Sequence, residues 1–183
     1  MAKLSQYVAF LRGMNLGKRR LSMVRLRELF GELGFEKVET YIASGNVIFR
    51  AAKTADSKLA ASIAMHLEAS LGYPVDTFVR TAAEVQAIAK GEIFPKQAEP
   101  GWNVHVSFFS KKLPQRMAQD VEAIRTDEDA FRVIHRELYW LRKGRMSDSQ
   151  AWDLPAMKAI QLPTHSMRNM NTIRKLTIKY LTD

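Results

Sequence analysis

The chain of 183 residues carries a formal net charge of +9, with 46% apolar and 26% charged side chains and no Cys. That length suits one large domain or two small ones, and the composition suits a globular chain rather than a disordered one. No stretch approaches the roughly 18 consecutive apolar residues of a membrane span, the N-terminus has no apolar core with a small-residue cleavage site, and the missing Cys removes disulfides, thiol nucleophiles and thiolate metal sites, so a cytoplasmic protein without membrane attachment is expected.

In chain order, Tyr7 to Arg12 is an apolar run of strand length, and Gly13 to Leu21 is a loop. Leu26, Leu29, Phe30 and Leu33 then recur at helical spacing, with Ser22 as N-cap and Gly34 as the stop. Lys37 to Ala43 and Val47 to Arg50 read as two strands around Ser44, Gly45 and Asn46, a turn-forming triplet. Leu59, Ile63, Leu67 and Leu71 mark a second helix ended by Gly72, and Val75 to Arg80 alternates as a strand. The order βαββαβ is the split pattern of a ferredoxin-like domain.

The second half repeats that order less clearly. Thr81 and Glu84 form a capping box for a short helix, and a Pro- and Gly-rich loop follows from Gly91. Val104 to Phe109 is a strand, Pro114 to Ile124 a helix, and Phe131 to His135 with Leu138 to Arg142 a strand pair. After a variable stretch to Pro163, Ser166 caps a last helix on which Met170, Ile173, Leu176 and Tyr180 share a face, so Arg168 and Asn169 fall in its first turn. The expected fold is α+β, two tandem ferredoxin-like halves (βαββαβ, then βαββα) with antiparallel sheets. The boundaries read as 1–80 for the first half, 81–103 for a helix and linker, and 104–183 for the second half with its C-terminal helix.

The charge is localised. Residues 1–27 hold seven Lys or Arg and no acid, residues 28–141 net −3, and residues 142–179 net +6. Basic ends on a mildly acidic body favour phosphate-bearing or other anionic partners, and they also serve as a solvated surface.

Three segments, LRGMNLG at 11–17, YIASGNVIF at 41–49 and SMRNMNTIRKL at 166–176, together resemble one widespread bacterial family, catalogued as domain of unknown function 1697. The resemblance runs through the whole chain in order and implies two ferredoxin-like halves; the family has no established reaction, so it implies none. Two features depart from the pattern: Met167 stands where a small or hydroxyl residue is usual, and Lys18, Arg19 and Arg20 make the first loop unusually basic.

The first loop has a physical rationale as a binding site. A strand-to-helix loop presents backbone N–H groups at a helix N-terminus, where the macrodipole favours negative charge. Gly13 and Gly17 permit positive φ or close approach, Arg12 offers a bidentate guanidinium, Asn15 donates or accepts, and Lys18, Arg19 and Arg20 attract anions. The spacing is not that of a P-loop. The alternative is that the glycines shape a turn, Asn15 caps it and Arg12 meets a carboxylate. Arg168 and Asn169 are further candidate contacts, since a cation in a first helical turn needs a ligand, a carboxylate or a carbonyl to meet. Ser44, Gly45 and Asn46 read first as turn residues, expected at the far end of the sheet from the first loop.

Other chemistry is not signalled. His66, His105, His135 and His165 lack metal spacing, and neither GxSxG nor HExxH occurs. Asp127, Glu128 and Asp129 read as a solvated turn. No metal and no cofactor are expected. The leading functional reading is a binding module for a phosphate-bearing ligand, either a nucleotide-like metabolite or nucleic acid, held by the first loop and the last helix. Next comes a structural protein forming a homodimer through sheet edges, and last an enzyme acting on a small anionic substrate between the halves, with no residue standing out as its base.

Overall fold

The computed structural model describes residues 4–17 and 19–182. It contains two compact units, Met1–Ile88 with Leu176–Asp183, and Ala89–Lys175. Each is built on a four-stranded antiparallel sheet, ordered β2-β3-β1-β4 in the first unit and β6-β7-β5-β8 in the second.

In the first unit the elements are β1 (Leu4–Arg12), α1 (Met23–Glu32), β2 (Glu36–Tyr41), β3 (Asn46–Ala52), α2 (Asp56–Leu71) and β4 (Asp76–Thr81), followed by α3 (Ala82–Lys90). Local chemistry sets the boundaries. Ser22 caps α1, its side chain accepting from Arg25 N at 3.1 Å, and α2 ends at Gly72 in the left-handed region with φ +77°. Thr81 and Glu84 form the reciprocal capping box of α3: the Glu84 carboxylate accepts from Thr81 N at 2.8 Å, and Thr81 Oγ1 accepts from Glu84 N at 3.2 Å. The core joins Leu26, Leu29 and Phe30 of α1 and Leu59, Ile63 and Leu67 of α2 to Tyr7, Ala9, Leu11 and Phe49 on one sheet face. The opposite face, with Val8, Phe10, Ile48, Phe78 and Arg80, is buried as well.

The second unit has β5 (Trp102–Phe108), α4 (Gln115–Ala123), β6 (Asp129–Ile134), β7 (Glu137–Lys143), α5 (Pro155–Ile160) and β8 (Ser166–Asn169), then α6 (Met170–Tyr180). This corrects the reading of the last quarter of the chain. Ser166 caps no helix: Ser166–Asn169 pairs with β5 from Phe108 to His105, and α6 begins only at Met170. Arg168 and Asn169 therefore sit on a strand, and the second unit has the full βαββαβ order. The cap passes to Asn169, whose Oδ1 accepts from Asn171 N at 2.8 Å. The segment read as variable holds α5, which supplies the buried Met157 to a core of Phe109, Val121, Phe131, Leu138 and Trp140.

The two units match in register. Val8 faces Arg80 and Phe10 faces Asn46; Val106 faces Arg168 and Phe108 faces Glu137. Arg80 and Arg168 thus hold equivalent places, are both buried, and each donates from one terminal nitrogen to the carbonyl of the residue before it, Val79 O at 2.9 Å and Met167 O at 2.8 Å.

Candidate functional site

The first sequence motif lies at the end of the sheet of unit one. Because β1 runs antiparallel to both β3 and β4, its C-terminal end meets the start of each. Three connections therefore share that end: residues 13–22, the hairpin 42–45 and the stretch 72–75. The expectation that the hairpin lies at the far end was wrong. β2 and β1 point the same way, since each is antiparallel to β3, so the hairpin after β2 lies beside the loop after β1. Leu11 N donates to Gly45 O at 2.8 Å.

The loop is ordered by its own polar groups. Gly13 and Gly17 take φ of +83° and +59°, conformations that cost side-chain-bearing residues about 1–2 kcal/mol. Asn15 Oδ1 accepts from Leu21 N at 2.8 Å, closing the loop just before α1. Tyr73 donates its hydroxyl to Met14 O at 3.1 Å, and the Arg19 guanidinium lies 4.2 Å from the centre of the Tyr73 ring. Arg20 donates to Gly17 O at 2.9 Å and Arg19 O at 2.7 Å. Arg12 is exposed and has no side-chain partner among the described residues, although Asp76 lies opposite it in the strand register. Lys18 lies outside the described residues.

The hairpin residues divide by role. Asn46 is buried and its amide donates to Tyr41 O at 2.9 Å and Ser44 Oγ at 2.8 Å, which fixes the turn. Gly45 is required twice over: its φ is +76°, and a Cβ there would lie 3.0 Å from Leu11 Cβ. Ser44 and Ile42 are exposed beside the loop, and Ile42 holds φ +51°, rare for a β-branched residue.

Arg168 and Asn169 belong to unit two. Arg168 is buried and donates to Ser166 Oγ and Met167 O, each at 2.8 Å. Burial pushes its guanidinium down to about 10, which leaves it charged at neutral pH. Asn169 is spent on the cap of α6.

Sequence reasoning missed one cluster. Asp129, read as part of a solvated turn, is buried: it accepts from Trp140 Nε1 and Ser149 Oγ on one oxygen and from Thr126 Oγ1 on the other, each at 2.8 Å, and pairs with Arg142 at 3.1 Å. An aspartate in an acidic triplet two residues before an apolar run carries no signal of that burial; the partners are 3, 11, 13 and 20 residues away. Among the described residues no group of His, Asp and Glu has the arrangement to hold a metal ion, and no helix is long and apolar enough to cross a membrane.

A solved structure described as conserved bacterial protein SP0830 from Streptococcus pneumoniae superposes with a TM-score of 0.77 at 19% identity, covering 98% of this chain and 100% of that one. At that identity the likeness is one of fold, and it extends over both units. No curated protein matches the chain. The family model described as "Protein of unknown function (DUF1697)" matches residues 4–139, from β1 to the middle of β7, and the chain belongs to that family.

Proposed function

We propose that the protein binds a phosphate-bearing anion, a nucleotide-like metabolite or a nucleic acid strand, at the end of the unit-one sheet formed by the loop after β1. The observation that carries this reading is the placement of Arg19. Its guanidinium is held against the Tyr73 ring while Tyr73 is itself tied to the loop backbone. Such stacking contributes about 0.5–1 kcal/mol and orients the guanidinium, one terminal nitrogen of which also donates to Gly13 O at 3.5 Å, toward the loop where a phosphate would sit. Arg12 and Arg20 flank it, and no acidic residue occurs in residues 1–27.

Dimerisation through β2 is disfavoured by its edge: the strand carries Glu36, Lys37 and Glu39, and Lys37 makes a bulge with φ +48°. Stacking of bases on a sheet is disfavoured too, because Val8, Phe10, Val106 and Phe108 on the sheet faces are buried.

The test is salt-dependent binding of a fluorescent single-stranded oligonucleotide, alongside titration with inorganic pyrophosphate. Each phosphate neutralised adds about 0.7 to the slope of log affinity against log salt for a single strand, so Arg19→Ala with Arg20→Ala should flatten it by about 1.4. Absence of binding to either probe at low salt removes the proposal, and an unchanged slope removes this loop from it.

A further inference from the structure

Unit two repeats the unit-one site in outline, with different residues. At the end of β5 three connections again converge: 109–114 leading into α4, the hairpin turn His135–Arg136, and 161–165 leading into β8. They are tied as in unit one. Phe109 N donates to Arg136 O at 3.0 Å, the counterpart of the Leu11 bond to Gly45. The ring of Phe109 lies 5.0 Å from that of His165.

The three connections themselves carry only basic charge. They contain Lys111, Lys112, His135, Arg136 and His165, and no Asp or Glu. The nearest carboxylate in sequence, Glu137, is buried and accepts from Arg136 N at 3.2 Å. Lys111, Lys112 and His135 are exposed, and among the described residues neither lysine has an ion-pair partner. Asp127, Glu128 and Asp129 stand at the opposite end of the sheet, where Glu128 and Asp129 both bind Arg142, while Glu122 and Asp120 of α4 are engaged with Val133 N at 2.7 Å and Arg116 at 3.1 Å.

His135 adds a backbone observation. It holds φ +56° at the tip of a two-residue turn. Gly, Asn, Asp and His adopt that conformation most readily, and at this turn it sets an imidazole with an N–H donor at the same end of the sheet as the connection that carries Lys111 and Lys112. The basic pair itself occupies the place in this unit that Arg19 and Arg20 occupy in the other, the connection between first strand and first helix.

We propose that this end of unit two is a second anion site, in which Lys111, Lys112 and His135 receive a phosphate group. Two adjacent ammonium groups match the charge of about −1.5 to −2 on a phosphate monoester, where a single carboxylate would leave one of them uncompensated. Lysine serves here as a point charge and the imidazole as the directed donor. The site has the ligand chemistry proposed for the unit-one loop and none of its residues, so either stands without the other.

Amide correlation spectra recorded during titration with inorganic pyrophosphate at fixed ionic strength separate the two. Saturating shifts are expected in 109–116 and 135–136, in a group distinct from those in 12–21. Lys111→Ala with Lys112→Ala should weaken the first group at least about tenfold, equivalent to about 1.4 kcal/mol, and leave the second group unchanged. The double Lys→Arg variant should restore it. Both lysines are exposed, so the remainder of the spectrum reports an intact fold. The proposal is overturned if no saturating shift occurs in 109–116, if the shifts persist undiminished in the alanine variant, or if sodium chloride produces them equally. Loss of the 12–21 shifts alone overturns only the reading of the first loop.

Discussion

Asp129→Ala should be among the most damaging single substitutions in unit two. The carboxylate accepts three neutral donors at 2.8 Å and the Arg142 guanidinium at 3.1 Å, with only 2% of its side chain exposed and 5% of that of Arg142. Removing one partner of a buried ion pair costs about 3–5 kcal/mol, because the remaining charge stays desolvated. Here Arg142 keeps Glu128 at 2.8 Å, but that carboxylate is 54% exposed and compensates weakly. The indole N–H of Trp140, now buried without an acceptor, adds about 1–3 kcal/mol. A loss of about 4 kcal/mol is expected, a large share of the roughly 5–15 kcal/mol that stabilises a whole domain. All three Trp residues, 102, 140 and 152, lie in this unit, so urea unfolding followed by Trp emission reports it without interference from the other. In a cycle with Arg142→Met, the double variant should be more stable than the sum of the single losses predicts by about 2 kcal/mol. A loss under about 1 kcal/mol for Asp129→Ala, or strict additivity, would show that the network contributes little.

Two glycines of the first loop region should respond unequally to alanine. Gly17→Ala meets only the cost of positive φ, about 1 kcal/mol, since nothing lies within 4 Å of the added Cβ; Gly45→Ala meets the same cost plus a contact of 3.0 Å with Leu11 Cβ and should lose at least about 2 kcal/mol. Equal shifts in thermal midpoint would contradict this. His105 is predicted to make unit two acid-sensitive. Its Nδ1 is buried without a partner among the described residues, and burial lowers its pKa. The unfolded chain therefore takes up the proton first, and stability falls as pH drops through about 6.5, by at most about 1.4 kcal/mol per pH unit for one proton. His105→Phe should remove that component of the urea midpoint's pH dependence; equal acid sensitivity in both proteins would refute it.

The sequence disclosed elements where short-range chemistry decides them. Ser22, Gly72 and the pair Thr81 and Glu84 act within three or four residues, and each sits at the boundary it announces. Position in the sheet is a long-range matter. β8 is four residues long, contains no β-branched side chain and is followed at once by a helix, so its period-two pattern is too short to stand out from the helix beside it. The hairpin residues were legible as a turn, but their place beside the first loop depends on strand direction, which composition does not encode. Of the candidate site, Gly13, Gly17 and Asn15 were recognised with both roles open, and their turn and capping geometry is now visible. The anchoring of Arg19 on Tyr73 crosses 54 residues and left no trace in the first loop's own pattern.

Residues on both faces of each sheet are buried, so a polymer would meet these sheets at their rims. The rims described above present guanidinium and ammonium groups, and the Tyr73 ring at the first loop already carries the Arg19 guanidinium. A nucleic acid held there would be measured by the spacing of its phosphates and not by its letters. Homopolymers of adenine and thymine would then be indistinguishable to this protein at equal length, whereas shortening the strand would change the affinity.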